Sequence, residues 1–162
     1  MPNRDSSPEV RHYNRGMAVQ ELYDLDFFRW TQRNAKLLKK GCFSQADIEH
    51  IAEEIADMGK SDRREVESFL MRLIMHLLKW QFQPAQRSTS WVASIGDSRV
   101  QLRLIFKQSP SLKKFAMKSF VEVYLYARGQ ASRETGVPFK AFPVKCPYTF
   151  DQLMNDDFLP ED

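Results

Sequence analysis

Apolar residues recur every three to four positions along most of this chain, the spacing of one face of an α-helix. The recurrence breaks at a few places rich in glycine, proline or capping residues. From Asp26 to about Lys40, Phe27, Trp30, Leu37 and Leu38 supply an apolar side. Asp24 or Asp26 is placed to cap the start, Lys36, Lys39 and Lys40 suit the C-terminal dipole, and Gly41 stops the run. Ser44 is expected to open a second helix, with Asp47 in its first turn. Ile48, Ile51, Ala52 and Ile55 follow at i, i+3, i+4 and i+7, and Gly59 closes it. Asp62 and Glu65 form the D-x-x-E variant of a capping box for a third helix. That helix carries Val66, Phe69, Leu70, Leu73, Ile74, Leu77 and Leu78 with Met71 and Met75 beside them, an arc wide enough for a central helix contacted on several sides. It ends near Gln81, before Pro84. A fourth helix runs from about Ser90 to Gln108 on Trp91, Ile95, Leu102, Ile105 and Phe106, with Gly96 a weak point. Ser109 caps a fifth, Pro110 lies at its first turn, and Leu112, Phe115, Ala116, Phe120, Val123 and Ala127 form its stripe up to about Gly136.

The remainder reads as an extended strap with one short helix, opened by the capping pair Thr149 and Gln152 and anchored by Phe139, Phe142, Tyr148, Leu153 and Phe158. No run alternates with period two for long enough to make a strand. The expected fold is all-α: an antiparallel helical bundle of about five helices, because the connections are short, followed by the strap and its short helix. Residues 1–20 are polar and aperiodic and read as a flexible arm; residues 21–162 read as a single helical-bundle domain.

A chain of 162 residues with 43% hydrophobic side chains can bury a core and is not disordered as a whole. Twenty-four basic against twenty-one acidic side chains leave a net charge of +3, too small to single out nucleic acid as a partner. The two cysteines, Cys42 and Cys146, are far apart and fit a reducing compartment. The first residues lack the apolar core of a signal peptide, and no stretch approaches the ~18 consecutive apolar residues of a membrane span. A cytoplasmic location without a membrane contact is expected.

Three constellations carry chemistry. The stretch "HLLKWQFQPAQRSTSW", His76 to Trp91, combines a histidine, a lysine, an arginine and two tryptophans. His76 could serve as a base, with Lys79 and Arg87 holding an anion, but no nucleophile or oxyanion device accompanies them. The simpler reading is a joint between helices, pinned by Trp80, Phe82 and Trp91, with His76 and Gln81 satisfying backbone groups and Lys79 on the polar side. Second, Glu49, Glu53 and Asp57 repeat at i, i+4 and i+8 beside His50 and Glu54. The order His-x-x-Glu is the reverse of a helical di-iron motif and has no second copy, so no metal site is expected. Third, Arg99, Arg103 and Lys107 repeat every four residues, a stripe able to follow phosphates or to pair with the acidic second helix, in the same chain or in another copy.

The segments "YDLDFF", "AEEIADMGKSDRREVES", "HLLKWQFQP", "SPSL", "ETGVPFKAFP" and "CPYTFDQLMNDDFLP" resemble a bacterial family defined only as a domain of unknown function, the one numbered twenty-nine. The resemblance covers nearly everything from Tyr23 to Pro160 and leaves out the N-terminal arm. It implies an all-helical fold in a bacterial cytoplasm and carries no activity with it. The family pattern recurs in Glu53, Glu54, His76, Lys79, Trp80, Gln81, Arg87 and Trp91, which form the candidate functional cluster. The function expected is a small helical protein-interaction module without catalysis or cofactor, binding an unidentified protein partner or itself through its separated charges. The alternatives are a nucleic-acid accessory protein using Arg99, Arg103 and Lys107, and a metal-dependent or acid/base enzyme centred on His76 with Glu53 and Glu54.

Overall fold

The computed structural model describes residues 19–161, and the arm expected over residues 1–20 falls outside them except for its last two positions. The described residues form six α-helices: α1 (Val19–Leu25), α2 (Phe27–Lys39), α3 (Ile48–Phe82), α4 (Thr89–Gln108), α5 (Pro110–Thr135) and α6 (Phe150–Met154). Single 3₁₀ turns at Phe43–Gln45, Pro84–Gln86 and Phe139–Ala141 join them, and there is no strand among the described residues. The fold is the all-α helical bundle that the periodicity predicts. By contacts the chain divides into two compact units, one up to Met58 and one from Gly59 on, with α3 contributing to both.

In the first unit Asp26 separates α1 from α2. Its carboxylate accepts a hydrogen bond from the Arg29 amide at 3.0 Å, the N-cap expected of it. Gly41, at φ 71°, turns the chain after α2 in a conformation that side chains disfavour. The second helix starts at Ile48 rather than Ser44, because residues 43–45 make a 3₁₀ turn and Asp47 stands before the helix instead of inside its first turn. Leu22 and Trp30 are buried, whereas Ile48 and Ile55, expected to form an inward face, are exposed.

The second and third helices of the sequence reading are one 35-residue helix. Gly59 does not end it, since its φ is not positive and a helical glycine costs only about 1 kcal/mol. The Asp62–Glu65 pair lies in the helix interior, where amides already bond to carbonyls one turn back, so no capping box forms. Within the second unit Val66, Leu70, Leu73, Ile74, Leu77 and Leu78 of α3 have no solvent exposure. They meet Ile95 and Leu102 of α4, Leu112, Ala116, Val123 and Ala127 of α5, and Phe142, Tyr148 and Leu153 of the strap. Burying each of these large apolar side chains stabilises the unit by roughly 1.5–3 kcal/mol. Pro110 opens α5 and Gly136, at φ 73°, ends it; Thr149 and Gln152 make the expected capping box. Phe139 is an exception among the strap anchors: it is exposed, with the Arg128 guanidinium 3.9 Å from its ring centroid.

Candidate functional site

The candidate cluster is divided between the units. Glu53 and Glu54 belong to the first, and His76, Lys79, Trp80, Gln81, Arg87 and Trp91 to the second.

In the second unit the joint after α3 is built from specific contacts. Arg87 Nε donates to the Trp80 carbonyl at 2.9 Å, and its guanidinium lies 4.9 Å from the centroid of the Trp80 ring. Arg87 therefore closes one of the carbonyls that the end of α3 leaves open, the task expected of His76 and Gln81. Gln81 instead accepts from Tyr148 at 2.9 Å, and Phe82 packs on Phe142 with ring centroids 4.9 Å apart. Lys79 is buried rather than on the polar side. Its ammonium binds Glu134 at 2.8 Å and stands 4.7 Å from the Trp91 ring, two partners that offset the loss of water. The Glu134 carboxyl is held below its usual pKa by that lysine. His76 is half-buried, and its Nδ1 has no hydrogen-bond partner among the described residues. Burial, with Lys79 nearby, pushes its pKa down to about 4, so the imidazole is neutral at neutral pH. No described hydroxyl or thiol is hydrogen-bonded to its Nδ1.

The first unit contains a polar network that the sequence reading did not assemble. The buried carboxylate of Asp47 accepts from Trp30 Nε1 at 3.0 Å, and its same oxygen lies 2.7 Å from His50 Nδ1. Asn34 accepts from the Asp47 amide at 2.9 Å and donates to the Trp30 carbonyl at 3.0 Å. The His50 ring stacks on Tyr23, with centroids 4.0 Å apart and 18° between planes, and Tyr23 donates to Glu54 at 2.6 Å. Burial raises the Asp47 carboxyl, but the hydrogen bonds from Trp30 and His50 outweigh it and leave the pKa below its usual value. The bond to Asp47 raises the His50 pKa. The bond to Glu54 pushes the Tyr23 phenol up to about 12. Asp47-x-x-His50 at a helix start is the signal that could have found this network. An Asp–His pair is the geometry of a general base, yet here Tyr23 covers one face of the imidazole and both groups tie α1 and α2 to the start of α3. Glu53 is exposed, and among the described residues no three His, Cys, Asp or Glu side chains are placed to hold a metal ion.

The basic stripe separates into three different environments. Arg99 is buried; its Nε donates to the Leu153 carbonyl at 2.8 Å, its Nη2 to Phe158 at 2.8 Å, and its Nη1 to Asp156 at 3.2 Å. Burial lowers its pKa. Arg103 makes a two-pronged contact with the Asp156 carboxylate at 2.8 and 2.7 Å. The stripe's partner is thus the C-terminal segment, and only Lys107 is exposed without a carboxylate partner among the described residues.

What the three constellations leave over is the outer side of α5. Lys114, Met117, Lys118, Val121 and Leu125 recur at helical spacing and are all exposed, with Met117, Val121 and Leu125 at 49, 55 and 55%. Neither lysine is in an ion pair with a described residue. From Ser98 to Val121 the chain has six basic and no acidic side chains. The periodicity of this segment picks out the stripe from Leu112 to Ala127 and leaves the residues of this face unassigned.

Residues 22–159 match the family described as "Domain of unknown function DUF29". No curated protein and no solved structure matches the chain.

Proposed function

The chain belongs to the DUF29 family, and for this member we propose a role as a protein-interaction module that docks its partner along the outer side of α5. The observation that carries this reading is the row Lys114, Met117, Lys118, Val121 and Leu125, cationic and apolar at once and exposed along three turns of a helix whose other side is built into the core. Exposed apolar side chains in a contiguous row mark contact surfaces, and uncompensated charge beside them gives orientation and rate to the encounter. The polar groups that a catalytic reading would use are engaged within the chain: Lys79 by Glu134, Arg87 by Trp80, His50 by Asp47. A nucleic-acid role resting on Arg99, Arg103 and Lys107 has lost two of its three cations to the C-terminal segment. No described helix is long and apolar enough to cross a membrane.

A photoreactive side chain installed at Val121 tests the reading in the protein's own cells. A protein adduct from Val121, absent when the same group stands at exposed Arg133 on the last turns of α5, supports a docking face there. The reading fails if Val121 captures no protein.

A further inference from the structure

Resting on the reading of α5 as a docking face, we propose that its occupant is a second copy of this chain, which binds through residues Ile48 to Met58 at the start of α3. In the first unit this stretch offers His50 and Glu54 to Tyr23. Elsewhere on the same turns Ile48, Ile55 and Met58 are exposed at 49, 64 and 68%, beside exposed Ala52 and Ala56. Two features match it to the α5 row.

The first is charge. Ile48 to Met58 contains Glu49, Glu53, Glu54 and Asp57 and no lysine or arginine, whereas the α5 row carries Lys114 and Lys118, with Glu122 as the one acidic residue between Lys114 and Leu125. Glu49 and Glu53 are exposed, four residues apart and in no ion pair with a described residue; Lys114 and Lys118 are likewise four apart and unpaired. Equal spacing on two helices lets Glu49 and Glu53 of a second copy meet Lys114 and Lys118 with the helices parallel, the direction that also sets Met117 against Ala52 and Val121 against Ala56.

The second is apolar shape. At about 1.5 Å per residue each row is roughly 15 Å long. Ala52 and Ala56, four residues apart on one side of the helix, leave shallow positions beside Ile48 and Ile55, where the longer Met117, Val121 and Leu125 can enter, as ridges enter grooves between packed helices. Pairing would cover apolar surface on both sides at once, and the charges would fix which row meets which.

Sedimentation velocity of the full chain across a range of concentrations tests the proposal. The wild type is expected to self-associate, more weakly as added salt shortens the screening length from about 30 Å at 0.01 M to about 8 Å at 0.15 M. Lys114→Glu/Lys118→Glu and Glu49→Lys/Glu53→Lys are each expected to sediment as monomers, the first with the wild-type melting temperature and the second folded but a few degrees lower, since it places cations at the start of α3 beside His50. An equimolar mixture of the two is expected to regain the complex, because each supplies the charge the other has inverted. A wild type that stays monomeric, a reversed variant that associates like the wild type, or a mixture that stays monomeric overturns the proposal. Binding to vesicles of anionic lipid without self-association overturns it as well. A Val121 adduct to a different protein alone overturns the second copy and leaves the docking face standing; no protein adduct overturns both.

Discussion

Arg99 Nε and Nη2 hold the carbonyls of Leu153 and Phe158, each at 2.8 Å, so one buried guanidinium ties the middle of α4 to the last turn of α6 and to the chain that follows it. Its neighbour Arg103, one turn on, reaches the same segment only through the exposed Asp156 carboxylate. Two arginines of one stripe therefore have unequal weight. Arg99→Ala is expected to lower the unfolding free energy by roughly 3 kcal/mol, because it strands several buried carbonyls, whereas Arg103→Ala should cost less than about 1 kcal/mol. Urea melts of the two variants check the difference, and equal losses would contradict it.

The two described histidines should tilt the pH profile of stability in opposite directions. His50 has its folded pKa raised by Asp47, with Glu53 and Glu49 adding to the effect. Its contribution is complete below the unfolded value of 6.5 and is lost as pH rises through the folded one. His76, lowered by burial and by Lys79, contributes fully above 6.5 and loses that contribution as pH falls toward about 4. Asp47, lowered overall, adds a loss of stability when pH falls below 3.8 and through its folded value. Denaturant melts from pH 4 to 8 should find the alkaline decline flattened in His50→Gln and the decline below 6.5 flattened in His76→Leu. Two variants with the wild-type profile would contradict both assignments.

Glycine substitutions test the continuity of α3. A Cβ at Gly59 meets nothing within 4 Å, and the residue is helical, so Gly59→Ala is expected to stabilise by about 0.5–1 kcal/mol. Gly136 has equally open space but φ +73°, and Gly136→Ala should destabilise by about 1 kcal/mol. Thermal melts separate the two signs. Destabilisation by Gly59→Ala would mean that α3 is interrupted there.

Much of this architecture was legible in the sequence because apolar periodicity reports what a helix buries. Val66 to Leu78, Leu112 to Ala127 and the Thr149 capping box follow from spacing alone. Gly59 misled because a glycine ends a helix only where the backbone turns to positive φ, and nothing local required that. Arg99 and Arg103 look alike in a four-residue repeat. What separates them is a set of carbonyls more than fifty residues away, in a strap whose backbone lacks helix partners. Lys79 was assigned to the polar side for the same reason, since Glu134 and Trp91 reach it only in the folded chain. The α5 row went unassigned for a different reason: the stripe Leu112, Phe115, Ala116, Phe120, Val123 and Ala127 picks out the buried side, and spacing alone does not say that Met117, Val121 and Leu125 stay outside.

The α5 row is expected to serve contact and not stability, and the double variant Val121→Asp/Leu125→Asp separates the two roles. Both side chains are more than half exposed, so the melting temperature should stay within a few degrees of the wild type while protein cross-linking from Met117 is lost. A large fall in melting temperature would give the row a structural role, and cross-linking that persists undiminished would place the contact elsewhere.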